Sequence, residues 1–340
     1  MFIGGGLMWM VVIGILLVII VGALYLAANY LFKVALTRNV NREAVFDADH
    51  NQIEAPANLD EAALSAFKTR WLNRMQVTPV EITNHADLLL KGWTYERPAR
   101  LTHQWAILCH GFNGRHEEMY DKAPFFDQLG FNILLPDMQS HGQSEGQYIQ
   151  MGYGDRLDIQ QWIAFILQQD PEAQIVLYGI SMGGAAVMMT AGEVLPAAVQ
   201  AIIEDCGYTS VADEFRYQLK QLYHVPAFPL LNIFGMLVKH RLGWRLSAAS
   251  SIASLHQAKV PMLFFHGGAD TFVPASMLAE NFAAAPVPKA EMLVPGAQHG
   301  MAALTAGDAY WEKVHQFLTA NTSLHLINWQ DWNGGEPNGN

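Results

Sequence analysis

Gly179-Ile180-Ser181-Met182-Gly183-Gly184 decides how the rest of the chain is read. The apolar run Ile175-Val176-Leu177-Tyr178 leads into it and predicts a short buried strand, and the small residues from Ala185 to Met189 suit a helix. A strand, a tight turn with glycines around a serine, then a helix is the G-x-S-x-G pattern, whose turn pushes the serine out of the sheet. Only glycine lets neighbouring backbone come that close. The turn also sets a helix N-terminus beneath the serine, where the Met182 N–H can stabilise an oxyanion. Two other readings compete. The glycines can serve a strand-to-helix turn and nothing more. The second is a dinucleotide loop, because Glu204 and Asp205 lie about 20 residues on, where a ribose-binding acid would sit; its G-x-G-x-x-G needs glycine where Ser181 stands.

A serine hydroxyl becomes a nucleophile only when a base takes its proton, and the base needs an acid to fix its tautomer. Behind an elbow of this kind the chain order is Ser, then Asp or Glu, then His. His266-Gly267-Gly268-Ala269-Asp270 follows the strand-like Met262–Phe265, and Pro295-Gly296-Ala297-Gln298-His299-Gly300 follows Glu291–Val294. The expected catalytic residues are therefore Ser181 as nucleophile, His299 as base and Asp270 as the acid that orients it. Asp205, also placed after a strand, is the reserve acid. His110 ends the strand-like Trp105–Cys109, where the second oxyanion donor belongs. That donor is assigned to the backbone N–H of Phe112, with His110 shaping the turn. His141 and His266 read as hydrogen-bonded loop formers, and Asp137 and Glu204 as loop or strand-end carboxylates.

From Trp105 onward a strand–helix rhythm predicts a parallel sheet with helices on both faces. Helices are expected around Met119–Leu129, Asp155–Gln168 and Asp308–Leu318, and further strands at Phe131–Leu135 and Val199–Glu204. Before this core, Val77–Thr83 and Leu88–Tyr95 read as a hairpin, and Asp60 as the cap of a helix carrying Leu64, Phe67, Trp71 and Met75. Residues 213–256 break the rhythm and read either as a cap over the site or as ordinary core helices.

Among 340 residues 51% are hydrophobic and 15% charged, enough for one large α/β domain with extensions. A net charge of -11 argues against a nucleic-acid partner. The two cysteines, Cys109 and Cys206, read as buried core residues, and the 13 histidines form no metal-ligand spacing, so neither metal nor cofactor is expected. From Met1 to Phe32 there is no charged side chain, and Leu7–Leu31 is nearly continuous apolar sequence, longer than the about 20 residues that span a bilayer. A cleaved signal peptide usually carries a basic start and a shorter core. Residues 1–32 therefore read as a retained transmembrane anchor. Lys33, Arg38 and Arg42 follow it, which by the positive-inside rule puts the remainder in the cytoplasm. Residues 33–74 then form a juxtamembrane linker and helix, 75–322 the catalytic domain, and 323–340 a flexible tail, with Asp331–Asn340 disordered.

Together, His110-Gly111-Phe112, the elbow, His266-Gly267-Gly268-Ala269-Asp270 and Gln298-His299-Gly300 resemble the α/β-hydrolase superfamily. The loop from Asp137 to Gly146 is similar to that family's D-x-R-G-H-G-x-S-x-G segment, departing from it at Met138, Gln139 and Ser140. The run Glu204-Asp205-Cys206-Gly207-Tyr208-Thr209-Ser210 narrows the resemblance to membrane-anchored bacterial serine hydrolases, similar to prolyl-oligopeptidase-like esterases and to depalmitoylating hydrolases. The resemblance covers residues 75–320. It implies an α/β-hydrolase fold, here behind a transmembrane helix, and an acyl-enzyme on Ser181; the motifs do not specify a substrate. Ester or thioester cleavage is expected because an amide demands more of the leaving-group step, with a small or lipid-like acyl substrate suggested by the apolar 213–256 stretch. A peptidase or acyltransferase with the same triad, or a non-catalytic membrane-tethered binding protein, are the alternatives.

Overall fold

The structure, a computed structural model, describes residues 3–40, 55–56, 60–98 and 101–327. It begins with helix α1 (Ile3–Leu36), whose apolar composition meets no charge before Lys33. Helix α2 (Glu61–Leu72) follows, capped as expected by Asp60, whose Oδ1 accepts the Ala63 N–H at 2.9 Å. Its apolar stripe packs on the main domain: Trp71 stacks on Tyr95 at 5.1 Å between ring centroids and Phe67 meets Phe125 at 5.3 Å.

The antiparallel hairpin β1 (Gln76–Thr83) and β2 (Leu89–Glu96) turns through Asn84, whose Oδ1 accepts the N–H groups of Ala86 and Leu88. The remaining strands are β3 (Gln104–Cys109), β4 (Asn132–Pro136), β5 (Gln174–Ile180), β6 (Val199–Asp205), β7 (Met262–Gly267) and β8 (Lys289–Val294). They join one sheet in the order β1-β2-β4-β3-β5-β6-β7-β8. Pairing is parallel from β4 through to β8 and antiparallel at the β1 end. Every residue of β3, β4 and β7 is buried, because helices cover both faces of a parallel sheet. β4 and β5 flank β3, so the strand order reverses there, and a crevice opens beyond the carboxyl ends of β3 and β5.

The helices divide into two layers. One holds α4 (Asp155–Gln169), α5 (Met182–Thr190), α6 (Val211–Tyr223), α7 (Leu230–Leu242), α8 (Ser251–Leu255) and α9 (Ser276–Ala284), around a core with Trp162, Met188 and Phe234. The other holds α2, α3 (Ala123–Gln128), α10 (Ala302–Ala306) and α11 (Asp308–Asn321), around Phe126, Tyr310 and Trp311. A short 3-10 turn, His116–Asp121, precedes α3, so the single helix expected near Met119–Leu129 is two pieces.

Other differences have physical causes. α1 continues past residue 32, because Ala28, Phe32 and Leu36 form a fully buried stripe in the first core. Thr37 then bridges to Tyr148, where a free linker was expected. Residues 323–327 are not a loose tail: Leu324 is buried, Gln104 Nε2 donates to the His325 carbonyl at 3.0 Å, and Ile327 N–H donates to Leu129 at 3.1 Å. Most of the linker between 41 and 59, and the expected disordered end at 331–340, lie outside the described residues.

Candidate active site

Ser181 stands between β5 and α5 with φ 56° and ψ -117°, a backbone region costly for a side-chain-bearing residue. Its neighbours make the turn possible. A Cβ on Gly179 would overlap the Gly183 carbonyl, and one on Gly183 would overlap that of Cys109, so the helix could not enter so close beneath the sheet. The Ser181 N–H donates to the Asp205 carbonyl at 2.8 Å, tying the turn to β6.

Three loops at strand ends bring three side chains into line. His299, after β8, places Nε2 2.7 Å from Ser181 Oγ. Its Nδ1 lies 2.7 Å from Oδ2 of Asp270, which follows β7. The Phe272 ring stacks against the imidazole at 4.9 Å. Asp270 also accepts the N–H groups of Phe272 and Val273, both at 2.9 Å, and sits 3.3 Å from His266 Nε2. Burial would raise the Asp270 pKa, but His299 and His266 outweigh it and hold the carboxyl well below the usual carboxylate range. An ionised acid is what a tautomer-fixing partner requires.

Beside this line, the backbone at Gly111 runs so near that a Cβ there would lie 3.5 Å from Ser181 Cβ. His110 holds that loop. It is fully buried, its Nε2 accepts the Met138 N–H at 3.0 Å, and its Nδ1 is 2.8 Å from the Gly111 carbonyl. Burial pushes its pKa down, so the ring is neutral, with Nδ1 the donor. Met182 is the first residue of α5, where the backbone N–H has no acceptor within the helix. Phe112 is the next residue of the Gly111 loop and lines the same cavities as Ser181. His141 is a loop former as expected, 2.9 Å from the Gln139 carbonyl. Asp137 gathers the N–H groups of His116 and Gln143 at 2.8 and 2.7 Å. Asp205 is not turned to His299; its carboxylate takes the Tyr310 hydroxyl at 2.9 Å.

Two cavities meet at Ser181, Phe112 and Phe272. One, of about 100 Å3, is almost wholly apolar and reaches Leu219, Phe234 and Leu31. The other, about 330 Å3, is more polar and holds Lys68, Glu118, Asp121 and Lys122 beside His299. The apolar cavity has one acid in its wall, Glu214. This side chain is buried, its Oε1 accepts from Gln218 Nε2 at 2.9 Å, and its Oε2 has no partner. Burial pushes its pKa up to about 8, against the opposing Gln218 bond, so the wall is uncharged near neutrality.

Two groupings among the described residues could hold a metal, Cys206–Asp270–His299 and His116–Glu117–Asp137, each with candidate atoms within 4.8 Å of one another. In the first, both His299 nitrogens already face Ser181 and Asp270, and burial pushes the Cys206 thiol well above its ordinary pKa.

Residues 106–231, from β3 to the start of α7 with the elbow between, match the family described as the alpha/beta hydrolase fold. The chain has the α/β-hydrolase fold. Within that fold it is similar to an uncharacterized Bacillus subtilis protein, YqkD, at 26% identity over 213 residues, 62% of this chain and 70% of that one. An uncharacterized membrane protein of Saccharomyces cerevisiae is 24% identical over 197 residues, 57% of this chain and 63% of that one. Among solved structures, the Pyrococcus furiosus esterase Pf2001 superposes with a TM-score of 0.60 at 20% identity, covering 79% of this chain and 100% of that one.

Three residues at this candidate site escape the sequence. His266, read as a loop former, is buried against Asp270. Phe272 has no motif to mark it. Glu214 falls in the first turn of α6, where an acid is ordinarily a solvated complement to the helix dipole.

Proposed function

We propose that the protein is a membrane-anchored serine hydrolase that cleaves carboxylic ester or thioester bonds through an acyl-enzyme on Ser181. The observation that carries this reading is the line from Ser181 through His299 to Asp270, two contacts of 2.7 Å. His299 Nε2 takes the Ser181 proton as Oγ bonds to the acyl carbon. The Phe112 and Met182 N–H groups receive the oxyanion. As the bond from carbon to the leaving oxygen or sulfur breaks, His299 returns the proton to that atom. Water, activated by the same imidazole, then releases the acid and restores Ser181.

The two cavities suit the two halves of such a substrate. A hydrocarbon acyl group fits the apolar side, and the leaving group and incoming water fit the polar side by Lys68 and Lys122. Helices α6 and α7 form the cover over the acyl side. An ester or thioester is preferred to an amide because its leaving group departs more readily.

The anchor is α1: Met8–Leu36 is long and apolar enough to cross a bilayer. Lys33 and Arg38 on its C-terminal side, with Arg42 beyond, support a cytoplasmic catalytic domain by the positive-inside rule. Labelling with a fluorophosphonate tests the central claim. The wild type takes the label and Ser181→Ala does not; a wild type that stays unlabelled counts for a non-catalytic binding protein instead.

A further inference from the structure

α1 does two things along its length. Its side chains from Met8 to Ala27 are exposed apart from Leu24, which is half-buried. At 1.5 Å per residue this stretch is about 30 Å long, the thickness of a bilayer core. From Ala28 onward the same helix packs into the catalytic domain. Phe32 lies 6.1 Å from Phe234 of α7 and 5.4 Å from Tyr148, and Arg241 of α7 reaches Asn29 Oδ1 at 2.6 Å while lying 4.5 Å over the Phe32 ring. The helix end is then stitched down: Ile149 N–H donates to the Leu36 carbonyl at 2.8 Å, and Arg38 N–H to that of Gln147 at 2.9 Å. The depth of α1 relative to Ser181 is thus set by packing and hydrogen bonds.

One face of this docked segment lines the apolar cavity. Leu31, Val34 and Ala35 share that cavity with Ser181 and Phe112, and Leu222 and Tyr223 at the end of α6 stand across from them. Tyr30 and Tyr223 are both exposed. They stand where the exposed stretch gives way to the domain, the level at which aromatic side chains favour a bilayer interface. Lys239, His240 and Arg241 form the last turn of α7, where Arg241 meets Asn29, and basic side chains at such a level would suit lipid phosphates.

Building on the hydrolase and anchor readings above, we propose that α1 supplies a wall of the acyl pocket, so that the pocket opens to the bilayer and takes the acyl chain of a membrane-resident lipid ester. The chain passes between α1 and the end of α6, lies along Leu31, Val34 and Ala35, and presents its carbonyl to Ser181. Leu31 and Val34 are then specificity-determining residues. The lipid headgroup side leaves through the polar cavity.

The test uses the full chain in phosphatidylcholine vesicles, with a short-chain and a long-chain ester as substrates. Leu31→Trp or Val34→Trp fills the wall and lowers the ratio of long-chain to short-chain kcat/KM at least tenfold. Leu31→Ala opens it and moves the preferred chain length upward. Leu17→Trp, on the exposed stretch, leaves the ratio where it was. Opposite shifts from filling and emptying one position are not what misfolding produces, and fluorophosphonate labelling shows which variants are folded. Long-chain ester placed in the enzyme's own vesicles is cleaved at least tenfold faster than the same ester in separate vesicles. A ratio unmoved by Leu31 and Val34, or equal rates from the two vesicle arrangements, overturns the proposal. Absence of turnover of either ester by the wild type, or turnover that Ser181→Ala leaves unchanged, overturns the hydrolase reading itself, and is seen before any pocket variant is made.

Discussion

Glu214 gives a numerical test of the role proposed for the apolar cavity. Its carboxyl is buried in an apolar wall, bonded at one oxygen and unpartnered at the other, and its pKa is pushed up to about 8. At pH 7 roughly nine molecules in ten then keep the neutral acid, and at pH 9 roughly one in ten. Binding that requires an uncharged wall weakens as the competent fraction falls, so KM for a long-chain ester rises about tenfold between these pH values. Among the groups facing Glu214, Tyr208 and Tyr217 are pushed upward by burial and Asp270 is held ionised. His266, against its burial, is raised above its ordinary pKa by Asp270, so the variant is what separates the Glu214 titration from that of His266. Glu214→Gln keeps the shape and an acceptor for Gln218, and removes the titration. Its KM stays flat from pH 7 to 9. The same ionisation must appear in stability. Because the folded pKa lies above the ordinary 4.5, the contribution is complete below about pH 4.5 and is lost as pH rises toward 8, at about 1.4 kcal/mol per unit. Steady-state kinetics and denaturant midpoints for both proteins, in one detergent across that range, measure both effects. The same alkaline rise in KM for wild type and variant would refute the argument.

Asp270→Asn leaves the geometry but removes the charge that orients His299, and kcat falls about 10⁴-fold with KM little changed; stopped assays on a short ester measure it, and a loss under tenfold would move the acid elsewhere. Phe32→Ala empties a fully buried site between α1 and α7 and costs about 3 to 5 kcal/mol. Denaturant titration followed by tryptophan fluorescence reads this, and a loss below about 1 kcal/mol would mean that the helix is not docked as described.

The elbow and its two partners were legible because each requirement leaves a mark in sequence. Gly179 and Gly183 stand where no Cβ fits, and Asp270 and His299 each follow an apolar strand in the order that the topology imposes. The wall made by α1 left no such mark. A run that is apolar all round has no period to separate a face against lipid from a face against protein, so Leu31 looks like Leu26. The sole polar break, Asn29, is explained only once Arg241 is seen beside it, 212 residues away in sequence. α9 was missed for the opposite reason, since Asn281, a residue that usually marks a surface, is fully buried and donates to the Gly207 carbonyl at 3.0 Å. The tail expected from residue 323 likewise begins within the core, because Leu324 is buried there.

The stitching of α1 also bears on how the protein can be taken apart. Arg38 donates through its guanidinium to the Gly142 carbonyl at 2.7 Å and also to that of Ser144. The same loop presents the Met138 N–H to His110, and His110 contacts the carbonyl of Gly111, next to Phe112. A short relay of hydrogen bonds therefore runs from the end of the helix to the backbone that would cradle the oxyanion. Cutting the chain after residue 40 would break that relay at its source and expose Phe234 and Leu231 to water. The remainder would carry a distorted candidate site and a sticky trough, so solubilising this protein by amputation is a poor route to testing its chemistry. Detergent that keeps helix and domain together preserves the site as one piece.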